Sequence, residues 1–157
     1  MPEGSTQATV LLIDDEETIL KMAGQRLRHF GYRVLIASNG TIGLALAKSE
    51  HPDAILLDVN MPTMNGNMVL KSLKADSRTK DISVIMLTAA GSERDITNTI
   101  ASGAVCYLMK PYQAKELLDE VALAVERHRT IHGRIDTPAP PAPSNFSDKG
   151  IIEEETA

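Results

Sequence analysis

The chain has 157 residues, enough for one domain with a hydrophobic core plus an appendage, and 43% of them are apolar, as in an ordinary globular protein. A formal net charge of −5 supplies none of the basic surface that nucleic acid favours, no apolar run approaches the roughly 20 residues needed to cross a bilayer, and the opening MPEGSTQAT lacks a signal's basic start and apolar stretch. One cysteine, Cys106, excludes a disulfide framework within the chain and suits a reducing compartment, so the reading is a cytoplasmic chain with no nucleic-acid or membrane partner of its own.

Residues 1–8 read as a flexible N-terminus. The first apolar run, TVLLID, then ends at Asp14, and Leu20, Ala23, Leu27 and Phe30 follow as one helical stripe. Gly31 stands where that helix would stop. YRVLIAS, from Tyr32 to Ser38, is the most polar of the strand-like runs and is expected near a sheet edge. Ile42, Ala45 and Leu46 mark a second helical stripe. DAILLDV, from Asp53 to Val59, is the third strand, and Val69, Leu70 and Leu73 make the third stripe. ISVIMLT runs from Ile82 to Thr88. A weaker fourth helix, with Ile96 and Ile100 on its stripe, takes Ser92 as candidate cap. AVCYLMK, from Ala104 to Lys110, is the fifth strand, and Leu117, Leu118, Val121 and Val125 form the clearest stripe, on a helix that extends through VERHRTIHGR. His128 and His132 on it, like His29 and His51 at earlier helix ends, read as solvated surface histidines.

Most of the runs are apolar nearly throughout, as strands are when helices cover both faces of a parallel sheet. Five β-then-α units imply an open parallel sheet with right-handed crossovers, an α/β fold. The domain is expected over residues 9–132. The remaining segment, 133–157, is rich in proline and small polar residues, and sets Arg134 and Lys149 against Asp136, Asp148, Glu153, Glu154 and Glu155. It is too poor in apolar residues to fold alone, and TPAPPAPS within it should be extended, so it reads as an acidic, disordered linker or tail.

In open α/β sheets, ligands bind beyond the carboxyl ends of the strands. Here those ends carry Asp14 and Asp15 after the first strand, Asp58 on the third, Thr88 on the fourth and Lys110-Pro111 on the fifth. Each alone has an ordinary reading: a solvated turn or helix cap for the acid pair, a turn residue for Asp58, a strand terminus for Thr88, a strand stop for Lys-Pro. Together they suit one piece of chemistry. Carboxylates without histidine or cysteine suit a hard, oxygen-ligated cation, Mg²⁺ or Mn²⁺. A carboxylate can also attack phosphorus to give an aspartyl phosphate, with the metal and Lys110 offsetting phosphoryl charge and Thr88 donating a hydrogen bond.

With these residues in place, LLIDDE, ILLDVNMPTMNG, VIMLTAAG and GAVCYLMKP resemble the four signature blocks of the receiver domain of two-component response regulators, over about Thr9 to Arg129. The resemblance implies a flavodoxin-like (βα)5 three-layer sandwich with strand order 2-1-3-4-5. It implies a phosphorylation-activated signalling switch in a phosphorelay, rather than an enzyme. Asp58 matches the phosphoacceptor, which takes its phosphoryl group from a sensor histidine kinase or phosphotransfer protein. Asp15 and Asp58 match direct metal ligands, with Asp14 acting through water and the backbone carbonyl of Asn60 completing the set. Thr88 and Lys110 match the groups that contact the phosphoryl. Tyr107 matches the aromatic switch that follows Thr88, and the Lys110-Pro111 peptide bond is expected to be cis.

The face formed by the fourth helix, fifth strand and fifth helix matches the surface that controls an effector domain or partner protein, with homodimerisation on phosphorylation as a further family outcome. Cys106 stands where the family often has an acid and reads as a small packed hydrophobe rather than a redox sensor. Asn60 and Ala90 occupy the two positions that tune phosphate lifetime in the family. The linker-like tail favours the receiver portion of a longer regulator over a stand-alone receiver. Three other readings compete. A haloacid-dehalogenase-like Mg-dependent phosphatase would show Asp-x-Asp after the first strand. A dinucleotide-binding module would show G-x-G-x-x-G there. A phosphorylation-independent interaction module would keep the fold without the response.

Overall fold

The computed structural model describes residues 7–62, 64–89 and 103–131. In chain order the elements are β1 (Thr9–Ile13), α1 (Glu17–His29), β2 (Arg33–Ala37), α2 (Gly40–Glu50), β3 (Ala54–Asp58), α3 (Gly66–Ala75), β4 (Ser83–Ala89), β5 (Cys106–Lys110) and a C-terminal helix (Ala114–Ile131). Residues 1–6 of the expected flexible N-terminus, the expected fourth helix with Ser92, Ile96 and Ile100, the tuning position Ala90, His132, and the tail 133–157 lie outside the described residues.

All five strands pair in parallel, in the order β2-β1-β3-β4-β5. Because side chains alternate across a strand, each apolar run feeds two cores. Val10, Leu12, Leu56, Ile85 and Leu87 face one side, where Leu20, Ala23 and Leu27 of α1 and Leu117, Leu118, Val121 and Val125 of the C-terminal helix cover them. Leu11, Ile13, Ile55, Leu57, Val84 and Met86 face the other, under α2 and α3. Helices therefore cover both faces, as expected of a three-layer sandwich. Val69, Leu70 and Leu73 of α3 are fully buried, each contributing about 1.5–3 kcal/mol of apolar transfer. β2 is an edge strand, as its polarity predicts, and exposes Arg33 and Ile36.

Two expectations need correction. The stripe Ile42–Ala45–Leu46 is not the buried face of α2: Ile42 is 43% exposed, Ala45 is exposed, and Leu46 is half-buried. The buried residues are Gly40, Gly43 and Ala47. The helix sits so close to the sheet that a Cβ on Gly43 would overlap Ile13, with Cγ1 at 2.8 Å, and one on Gly40 would meet Val69 at 2.7 Å. Apolar periodicity cannot register a face made of glycine, because a missing side chain leaves no hydrophobic mark.

His128 is the second correction. It is 4% exposed and not a solvated histidine, and its Nδ1 lies 3.0 Å from Asp53 Oδ1. His29 and His51 are exposed at helix ends, as expected.

Candidate functional site

The strand register sets the site. Ile13 pairs with Leu57, Asp58 with Leu87, and Ala89 with Lys110, so the carboxyl ends of β1, β3, β4 and β5 finish nearly level. Because β1 pairs directly with β3, Asp14, the residue after β1, falls beside Asp58, the last of β3. Thr88 is the penultimate residue of β4, and Lys110 closes β5, followed by a cis bond to Pro111 as expected.

Asp14, Asp58 and Thr88 are each 2% exposed, whereas Asp15 is exposed. One carboxylate oxygen from each of Asp14, Asp15 and Asp58 lies within 4.8 Å of the others. The Lys110 ammonium donates to Asp58 Oδ1 at 3.2 Å and lies 3.7 Å from Asp14 Oδ2. Asp58 Oδ1 also accepts from the Asn60 amide at 3.3 Å, and Asp14 Oδ1 accepts from the Glu16 amide at 2.9 Å. Asp14 Oδ2 is buried with no hydrogen-bond partner among the described residues.

Buried carboxylates this close cannot all ionise freely. Burial pushes Asp14 up to about 6; the Glu16 amide and Lys110 oppose this, and the negative charges of Asp58 and Asp15 add to it. Asp58 is likewise raised, first by burial, against the pull of Lys110. Burial lowers the Lys110 ammonium, but Asp14 and Asp58 outweigh it and hold the group above its ordinary value. Three carboxylates against one ammonium leave two negative charges when ionised. That excess, the all-oxygen donors and the Asp14 oxygen left without a hydrogen bond fit a hard divalent cation.

Gly66, four residues after Pro62 at the start of α3, fixes the backbone under the site. Its amide donates to the Val59 carbonyl at 2.9 Å. A Cβ there would overlap the Asp58 carbonyl oxygen and lie 2.8 Å from Val59 Cα. The NG pair in the second signature block marks this position, but the sequence alone gives no sign that the glycine rests on the peptide carrying Asp58.

Tyr107 is half-buried against the α2/α3 core. The Cys106 thiol donates to the Tyr107 carbonyl at 3.4 Å, and burial, aided by Glu120, pushes it up to about 12. A thiol so hard to ionise is a poor nucleophile, which agrees with the packing reading. Among the buried ionisable residues, the sequence reading missed Asp53, His128 and Arg129. A signal was present for His128, since it continues the Leu117–Val121–Val125 stripe by one turn.

The sequence matches the family model described as "Response regulator receiver domain" over residues 10–122. It is 40% identical over 118 residues to the DNA-binding dual master transcriptional regulator RpaA of Synechocystis, covering 75% of this chain and 49% of that one. It is 38% identical over 122 residues to the probable transcriptional regulator ycf27 of Guillardia theta, covering 78% and 47%. The solved chemotaxis protein CheY4 of Vibrio cholerae is similar with a TM-score of 0.72 and 34% identity, covering 76% of this chain and 99% of that one. The chain thus spans about half the length of the curated relatives it matches, and nearly the whole of the solved one.

Proposed function

The chain belongs to the response regulator receiver domain family, and we propose that Asp58 is its phosphoacceptor, taking a phosphoryl group from a sensor histidine kinase or phosphotransfer protein. The observation that carries this reading is the Lys110 ammonium held 3.2 Å from Asp58 and 3.7 Å from Asp14, at the meeting of β1, β3 and β5. An Asp58 carboxylate oxygen forms the new P–O bond while the phosphorus–nitrogen bond of the donor phosphohistidine breaks and the imidazole leaves. Lys110 offsets charge on the phosphoryl oxygens, and Thr88 donates to one of them. Asp14, Asp15, Asp58 and the Asn60 carbonyl would hold Mg²⁺ or Mn²⁺, which supplies further charge neutralisation when bound.

The added charge of roughly −1.5 to −2 then biases a two-state equilibrium. Turning a switch from mostly off to mostly on needs about 5.5 kcal/mol, and one charge-assisted hydrogen bond supplies about 1.5–3. Thr88, Lys110 and the cation must therefore act together, with Tyr107 following Thr88. The output surface of this reading includes β5, an edge strand with Met109 44% exposed, and the C-terminal helix. The effector it controls is a domain or a separate protein. A haloacid-dehalogenase-like phosphatase is not favoured, because the candidate nucleophile lies on β3 and not after β1.

Intact mass after incubation with acetyl phosphate and Mg²⁺ tests the proposal. A phosphoryl adduct that disappears on chelation is the expected result. No adduct, under conditions that modify a control receiver, would leave only the phosphorylation-independent interaction reading. In the same assay Lys110→Met is expected to slow uptake by about 10²–10³-fold, the usual cost of losing one charge-stabilising donor. A rate within a few-fold of the natural protein would deny Lys110 that role.

Cation binding should also depend on pH. Asp14 is raised to about 6, so below that pH a cation must displace a proton. Affinity for Mg²⁺ is accordingly expected to fall as pH drops through about 6. Calorimetric titration at about pH 5 and about pH 8 checks this, and equal affinities would mean Asp14 is not engaged.

A further inference from the structure

At the end of the sheet opposite Asp58, a second charged cluster is buried that has no part in phosphoryl chemistry. Asp53 is 3% exposed, His128 4% and Arg129 2%. Asp53 immediately precedes β3, and its carboxylate is fixed by a two-way bracket on the start of β1. Asp53 Oδ2 accepts from the Thr9 amide at 2.9 Å, and the Asp53 amide donates to the Thr9 carbonyl at 2.8 Å. The other oxygen, Oδ1, faces the C-terminal helix, with His128 Nδ1 at 3.0 Å and Arg129 Nε at 3.6 Å. A carboxylate only accepts, so His128 Nδ1 carries the proton of that bond.

We propose that Asp53, His128 and Arg129 form a clasp that holds residues 126–131 of the C-terminal helix on the strand-start end of the sheet. The helix itself shows why one is needed. Beyond Val125, its buried side chains are His128 and Arg129, while Glu126, Arg127, Thr130 and Ile131 are exposed. The apolar stripe that seats the earlier turns ends at Val125, and the final carbonyls of a helix have no intrahelical donors. An end of this kind frays unless something outside the helix holds it.

Charge is a selective way to hold it. Desolvating these groups is costly, and the cost is recovered only when the geometry is right. Burial pushes Asp53 up, but the bonds from His128 and the Thr9 amide and the field of Arg129 overcome it and leave the carboxyl below its ordinary value. The clasp therefore closes only when the helix is wound as far as Arg129 and Asp53 sits in its bracket. It lies at the strand-start end of the sheet, away from the phosphoacceptor, and it stands whether or not the phosphoryl reading does.

Hydrogen exchange by mass spectrometry on the full chain tests it, comparing the natural protein with Asp53→Asn, His128→Ala and His128→Asn. Amides of residues 126–131 are expected to exchange about tenfold faster or more in Asp53→Asn and His128→Ala. His128→Asn, which keeps a donor at the position of Nδ1, should stay near the natural rate. Amides of β1 and β3, and phosphoryl uptake from acetyl phosphate, should not change. Unchanged exchange at 126–131 in both disrupting variants would overturn the clasp. So would equal acceleration across β1, β3 and the helix, which would make the cluster an ordinary part of the core. If Asp53→Asn fails to fold because the Thr9 bracket is lost, His128→Ala, which leaves that bracket intact, decides the question alone.

Discussion

Asp58→Asn is expected to take up no phosphoryl group from acetyl phosphate, and yet to unfold at a temperature no lower than the natural protein does near pH 7 without metal. The first half follows from chemistry, since a neutral amide is no substitute for the attacking carboxylate. The second follows from the site's electrostatics. Asp58 is 2% exposed and its carboxyl is raised, chiefly by burial, so folding disfavours its charge. A group that binds its proton more tightly when folded makes the folded state lose stability as pH rises past the unfolded value. The ionised form carries that loss, and asparagine removes it. The amide oxygen can still accept from Lys110 and from the Asn60 amide, which the carboxylate contacts at 3.2 and 3.3 Å. Mass spectrometry reads the first half and thermal unfolding the second. A clear fall in melting temperature would mean that the Lys110–Asp58 pair stabilises the domain on balance, and that the acid cluster is not a site held at the expense of stability.

Gly66→Ala is the other change with a large expected effect: about 3 kcal/mol of lost stability together with impaired phosphoryl uptake. Overpacking costs less when the obstacle is a side chain, as Ile13 is at Gly43. At Gly66 the obstacle is backbone, namely the Asp58 carbonyl and Val59 Cα. Relief requires moving either the first turn of α3 or the peptide that carries the phosphoacceptor. The first breaks the bond from the Gly66 amide to the Val59 carbonyl, and the second shifts Asp58 relative to Lys110. Urea unfolding measures the stability, and the rate of adduct formation under folding conditions measures the geometry. A variant with natural stability and a natural rate would show that the close approach of Gly66 is not constraining.

Much of this molecule is legible in the sequence because its decisive signals are local. The apolar runs that become β1 and β3 are buried at every position, so the sequence shows them as continuous hydrophobic stretches. The polar β2 falls at the sheet edge for the complementary reason. Site residues stand at strand ends, and a parallel sheet aligns strand ends without further instruction. Asp14, Asp58, Thr88 and Lys110 could therefore be gathered from four places in the chain, although Lys110 and Asp58 are 52 positions apart.

Only the tertiary structure decided how charge and space are distributed. Asp14 is buried and raised while its neighbour Asp15 is exposed. The buried face of α2 is the small-residue side and not the one bearing Ile42. His128 is a core residue because Asp53, 75 positions earlier, waits with an ionised carboxylate. The physical reason is the same in each case. Burial of an apolar run is favourable almost wherever a core forms, so its pattern can be read along the chain. Burial of a charge or of a bare glycine face depends on the partner that the fold brings to it, and that partner has no fixed distance in sequence.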